Sequence, residues 1–245
     1  MKATAWEFRA RFWILLVIYT LGFTAPWDAV LRLDGAGPNS HVWGQLAVLL
    51  SRFGTTGVGG LSITSAFNLV LVAGIGVATA GAWLRTWGSA CLGVDVMSDR
   101  QMRGEGVVAA GPYRYLRNPL YVGAWLNLAA LALLMPPSGA VFALVMVVAF
   151  QMRLILSEEA FLSERLGEAY ANYCARVPRI LPSLRPRIPA SDAKPQWGRA
   201  APAEIFMWGV AGSFAVLGWR YDAHLLIQCV LVWLGASLVV RGLSK

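Results

Sequence analysis

Ser65–Leu84 runs for twenty residues without a charged side chain. That is about the length an α-helix needs to cross a bilayer. Phe12–Leu31 has the same character, with Pro26 and Asp28 placing its last turn at the interface. Leu120–Met135 is shorter and stops at Pro136-Pro137, and Gly139–Leu156 returns at once, so these two form a tight helical hairpin. Ala203–Trp219 and Ala223–Val240 complete six expected spans. Val42–Leu50 is too short to cross, and the glycine-rich stretch after it suggests a surface or re-entrant element. Gly74, Gly76 and Gly81 let the second span approach a neighbour closely.

The composition agrees: 57% of residues are hydrophobic, 14% are charged, and mean hydropathy is +0.56. A soluble domain carries about a quarter charged residues. The net charge of +8 does not indicate nucleic acid, because most basic residues lie just beyond apolar runs, at lipid-headgroup level. Trp6, Trp13, Trp27, Trp87 and Trp219 fall at or near segment ends, as in an aromatic belt. Cys91, Cys174 and Cys229 lack the spacing of a zinc site or disulfide framework. The long, Trp-rich first apolar run has no small-residue cleavage site and is expected to be a retained helix.

With the N-terminus in the cytoplasm, 18 of the 21 basic residues fall inside, leaving Arg32, Arg52 and Arg220 outside. The positive-inside rule therefore puts both termini in the cytoplasm. Residues 85–119 and 157–202 then lie on the same side. The first contains GPYRYLRNPLYVGAW, where Arg114, Arg117 and Asn118 crowd between Pro112 and Pro119. The second begins LSEEAFLSERLGEAYANYCARVPRILP, whose apolar residues recur at three- and four-residue spacing, the pattern of an amphipathic helix. The tight hairpin makes Asn118–Tyr121 and Arg153–Glu159 face each other. The two motifs form one expected site.

Those motifs, with AGAWLRTWGSACLG upstream, resemble the isoprenylcysteine carboxyl methyltransferase family, a relative of the membrane phosphatidylethanolamine N-methyltransferases, over about residues 70–183. The chain departs from the eukaryotic pattern at Asn118, where those enzymes have His. The resemblance implies an all-α integral membrane protein with a cofactor-capping helix after the fourth span. It implies S-adenosylmethionine bound at the cytoplasmic helix ends, and a lipophilic or lipidated methyl acceptor from the bilayer. The expected organisation is residues 1–64 as a span plus short element, 65–183 as the methyltransferase core, 184–202 as a Pro-rich loop and 203–245 as two final spans. In a bacterium the chain would lie in the inner membrane, with its active site cytoplasmic.

The cofactor has charges of both signs, so its pocket needs both. Gly111, Tyr113, Arg114, Arg117, Asn118, Pro119, Tyr121, Glu158 and Glu159 are the expected cofactor contacts, with Arg117, Glu158 and Glu159 central to catalysis. Arginines suit a carboxylate through their planar fork of donors. Acids at the end of an apolar helix are costly and mark function. Glu158 and Glu159 project about 100° apart, so one is expected on the cofactor ammonium or ribose and the other on Arg153 or Arg117. Arg85 and Arg153 are expected near the acceptor, Tyr170 and Tyr173 in packing, and His41 and His224 outside the site; no metal is expected. A carboxylate acceptor needs no base, which favours O-methylation of an isoprenylcysteine-type carboxylate. Alternatives are an N-methyltransferase acting on a phospholipid or amine, a sterol-reductase-like NADPH enzyme, and a non-enzymatic transporter or assembly factor.

Overall fold

A computed structural model describes residues 2–24, 41–54, 61–92, 110–189 and 194–243. Pro26, Asp28, Arg32, the glycine-rich 55–60, Arg100, Arg103 and Gly104–Gly106 lie outside the described residues. The elements are helical: α1 (Ala5–Arg9), α2 (Arg11–Thr24), α3 (Val42–Gly54), α4 (Ile63–Leu92), α5 (Pro119–Ala132), α6 (Pro137–Arg176), α7 (Trp197–Ala203), α8 (Ile205–Leu217) and α9 (Ala223–Leu243), with short 3₁₀ turns at Gly111–Arg114 and Gly218–Arg220.

Among the described residues, α4, α6 and Ala223–Val240 are long and apolar enough to cross a membrane. A fourth crossing arises if α7 and α8, bent by 65°, count as one broken span. α2 and α5 are apolar but have only 14 residues each, about 21 Å of helix against a hydrocarbon core of about 30 Å. α5 is short for a local reason. Pro119 occupies its first turn, where a missing N–H costs nothing, and α6 restarts after the tight Leu133–Pro136 turn.

Hydrogen bonds sort the bundle into two ends. At one end, α3 caps the α5–α6 turn through Val42 N–H to Met135 O (3.0 Å) and Trp43 N–H to Leu133 O (2.9 Å). There Tyr221 Oη donates to Asn68 (2.6 Å), and His41 and His224 meet edge to face at 5.8 Å. At the other end, Ala3 N–H donates to Ser157 Oγ (2.6 Å), and Arg85 bridges Leu120 O and Glu204. Between them lies a core that includes Leu71, Leu128, Leu131, Val147 and Phe214. α4 and α5 cross where a Cβ on Gly81 would stand 2.7 Å from Gly123 O.

Two segments differ from the sequence expectation. The fourth span and the amphipathic helix are one 40-residue helix, interrupted at Gly167, where φ 52° and ψ −126° leave the helical region. Glycine takes that backbone conformation without a Cβ penalty. The interruption is invisible to periodicity, because the apolar spacing continues past it. Ala203–Trp219 is not one straight span either: the helix breaks at Glu204, and the C-terminal half starts at Ile205.

Candidate active site

The turn before α5 is built by its special residues. Gly111 opens the 3₁₀ turn with φ 51°, Pro112 follows it, and Tyr115 and Leu116 N–H both donate to Pro112 O. A Cβ at Gly111 would strike Cys91 Sγ and come 2.7 Å from Trp87 Nε1. Gly111→Ala is therefore expected to cost about 1–3 kcal/mol in backbone strain alone, plus the steric term. A lowered melting temperature in detergent would register it, and an unchanged one would refute the account.

Asn118 stands at the N-cap of α5, a position where its side chain ordinarily accepts a backbone N–H. It makes no such cap. Its amide donates instead to Glu159 Oε1 (3.3 Å) and Arg179 O (3.1 Å). Glu159 is buried and collects two guanidiniums, Arg117 Nη1 at 3.2 Å and Arg179 through Nη2 at 2.8 Å and Nε at 2.9 Å. Arg117 Nη1 also contacts Cys174 Sγ at 2.9 Å, while its Nε is buried without a partner. The cluster thus carries a net positive charge.

Glu158 is different. Tyr121 Oη donates to its Oε1 at 2.8 Å. Its side chain is only partly covered, yet surrounding protein desolvates the carboxyl and pushes its pKa up to about 7, with Glu159 adding repulsion against the pull of Tyr121 and Arg11. One glutamate is saturated with donors; its neighbour is poised to exchange a proton near neutrality. Tyr113 completes the wall. Its backbone carbonyl accepts from Tyr173 Oη (2.9 Å), its own Oη is buried without a partner, and burial raises its pKa well above the usual phenol value.

The structure therefore brings together Arg117, Asn118, Tyr121, Glu158 and Glu159, with Gly111, Tyr113 and Pro119 in the same turn. Three expected residues have their bonds elsewhere. Arg114 Nε donates to Ile188 O (3.0 Å) and fastens the following loop. Arg153 Nη2 donates to both carboxylate oxygens of Glu7, at 2.8 and 2.9 Å, in place of the neighbouring glutamate or the acceptor expected from the sequence. Arg85 forms a bidentate pair with Glu204 at 2.6 and 2.9 Å, supported by Ser89. Gly123 serves the helix crossing, where a Cβ would come 2.6 Å from Arg85 Cγ. Tyr170 and Tyr173 are buried against Val177. Arg179 went unassigned in the sequence, although it stands between Pro178 and Pro182 at the end of the second motif.

Residues 69–169 match the phospholipid methyltransferase family. The match supports a membrane methyltransferase. It covers most of α4, the 3₁₀ turn, α5 and most of α6, less than half of the chain, and takes in Arg117, Asn118, Tyr121, Glu158 and Glu159. Arg179 and Glu204 lie beyond it. No curated protein matches the chain significantly, and no solved structure does so either.

Methyltransferases of this kind typically use S-adenosylmethionine. The residues present fit that group. Arg117 Nε and Tyr113 Oη are buried donors without partners, and acid and base stand side by side, as a ligand bearing both an ammonium and a carboxylate requires.

Proposed function

We propose that this protein is an S-adenosylmethionine-dependent N-methyltransferase acting on the amine headgroup of a phospholipid. The observation that carries the reading is the Tyr121–Glu158 pair, with the carboxyl pushed up to about 7. An amine arrives as an ammonium and must lose a proton before its lone pair can attack. Glu158 is attracted to that charge and has the basicity to take the proton. A carboxylate acceptor would need no base and would meet a like charge there. The sequence alone favours a carboxylate because that acceptor needs no base; a Glu158 carboxyl pushed up to about 7 supplies the base that an amine requires. The phospholipid methyltransferase match points the same way.

When bound, S-adenosylmethionine supplies a methyl group already activated on a sulfonium. Arg117 and Arg179, held by Glu159, would take its carboxylate, and Tyr113 would offer its free hydroxyl. Asn118 ties the turn to Arg179 O and so holds the two motifs together. The protein's remaining task is alignment of acceptor nitrogen and methyl group.

In our reading the chain has six spans, with both termini and the site in the cytoplasm, as the 18-to-3 division of basic residues implies. A reporter fused to the C-terminus should be active only inside; activity confined to the far side would refute this topology.

The test of function is direct. Purified protein in lipid nanodiscs receives tritiated S-adenosylmethionine, and the lipid extract is treated with mild alkali. Label that stays on the headgroup amine supports N-methylation. Release as volatile methanol identifies a methyl ester and returns the carboxylate reading. No transfer to any lipid excludes both.

A further inference from the structure

The N-terminal segment lies outside the matched family region, yet it is fastened beside the base. Ala3 N–H donates to Ser157 Oγ (2.6 Å), and Ser157 Oγ donates to Ala3 O (3.1 Å). Glu7 closes a capping box with Thr4 and grips Arg153 with both oxygens. These bonds fasten the N-terminal segment to α6 at Ser157, next to Glu158, and at Arg153, five residues before it. Arg11 opens α2 there, its guanidinium 4.5 Å above the ring of Phe8, which is itself buried against Phe150 and Leu154. Leu154 precedes Glu158 by four residues on α6, and the Arg11 charge acts on the Glu158 carboxyl. Trp6 and Trp13 on either side of Arg11 are 68% and 65% exposed, placing this corner at headgroup depth.

We propose that Arg11 binds the phosphate of the phospholipid acceptor whose amine sits at Glu158, an inference that rests on the N-methylation reading. The headgroup of an amino-phospholipid is a zwitterion, an ammonium two carbons from a phosphodiester. Glu158 and Arg11 present the complementary pair of charges on adjacent elements. A guanidinium is the side chain best matched to phosphate oxygens, through its planar fork of donors, and the Phe8 ring limits where it can swing. Arg11 is thus the residue that distinguishes a phosphate-bearing lipid amine from a simple amphiphilic amine.

The experiment compares the parent with Arg11→Gln, Arg11→Lys and Arg9→Gln in maltoside micelles, which contain no phosphate. The probes are dioleoylphosphatidylethanolamine and oleylamine, each followed by equilibrium binding of tritiated lipid and by methyl transfer. Arg11→Gln should weaken binding of the phospholipid and raise its KM by about tenfold or more, the effect of losing one charge-assisted hydrogen bond. Oleylamine binding should change by less than about twofold, and its methylation should change only through the pH profile, because the variant loses a charge that lowers the Glu158 pKa. Arg11→Lys should fall between, and Arg9→Gln, on an exposed residue, should match the parent. Equal losses on both lipids, or no loss on either, overturn the proposal. If the parent binds phospholipid through Arg11 but transfers no methyl group, the phosphate site stands and the N-methylation reading falls. If the parent methylates phospholipid and Arg11→Gln does so equally well, the phosphate site alone falls. A parent that binds no phospholipid overturns both.

Discussion

Glu158→Gln should lower amine methylation by about 10²–10⁴-fold, the usual contribution of a positioned general base, while the protein stays folded. Gln retains the volume and can still accept from Tyr121 Oη, now at 2.8 Å from the carboxylate, but it cannot take a proton. The parent's kcat/KM should rise with pH through about 7 as Glu158 ionises, and that limb should vanish in the variant. Stability carries a second signature. The folded-state pKa lies above the ordinary value of 4.5, so the folded protein keeps a proton that the unfolded chain has released. Stability contributed by this group is complete below the unfolded pKa and is lost as pH rises through about 7. Glu158→Gln should flatten that decline. A variant with parental activity and an unchanged pH profile would remove Glu158 from the chemistry.

Arg117→Ala should weaken S-adenosylmethionine binding by roughly 10- to 150-fold, corresponding to about 1.5–3 kcal/mol for a hydrogen bond to a charged group. This variant is a clean probe because Glu159 keeps Arg179 at 2.8 Å and is not left as an unpaired buried charge. Glu159→Gln should also lose at least about tenfold, but it leaves Arg117 and Arg179 facing each other and so costs stability as well. Arg185, exposed beyond the cluster, should be near silent as Ala. Calorimetry checks all three. Parental affinity in both Arg117→Ala and Glu159→Gln would sink the cofactor assignment, though not the fold.

Local chemistry in the sequence went a long way. Apolar runs marked the helical hairpin, and the Pro136-Pro137 stop placed Asn118–Tyr121 opposite Glu158 and Glu159, which touch at 2.8 and 3.3 Å. What escaped were charge pairs between distant segments. Arg153 meets Glu7 across 146 positions, and Arg85 meets Glu204 across 119. No spacing rule records such a partner, so each arginine read as a cation awaiting a ligand. The split between Glu158 and Glu159 was equally hidden, because it depends on Arg179 arriving from past the proline-bounded end of α6. Nor did Gly167 declare itself, since one set of backbone torsions turns the helix without disturbing its apolar pattern.

The Arg85–Glu204 pair bears on how small a working enzyme of this type can be made. The guanidinium is 16% exposed and the carboxylate 2%, and Arg85 also supports Leu120 O beside the site. Cutting the chain before Glu204 would strand a buried cation, at a cost of about 3–5 kcal/mol. The whole stability of a domain is only about 5–15 kcal/mol. Residues 203–245 fall outside the family segment, but they are not a detachable appendage. The minimal chain is bounded by a counter-ion, and any attempt at truncation must first replace Arg85 with a neutral side chain.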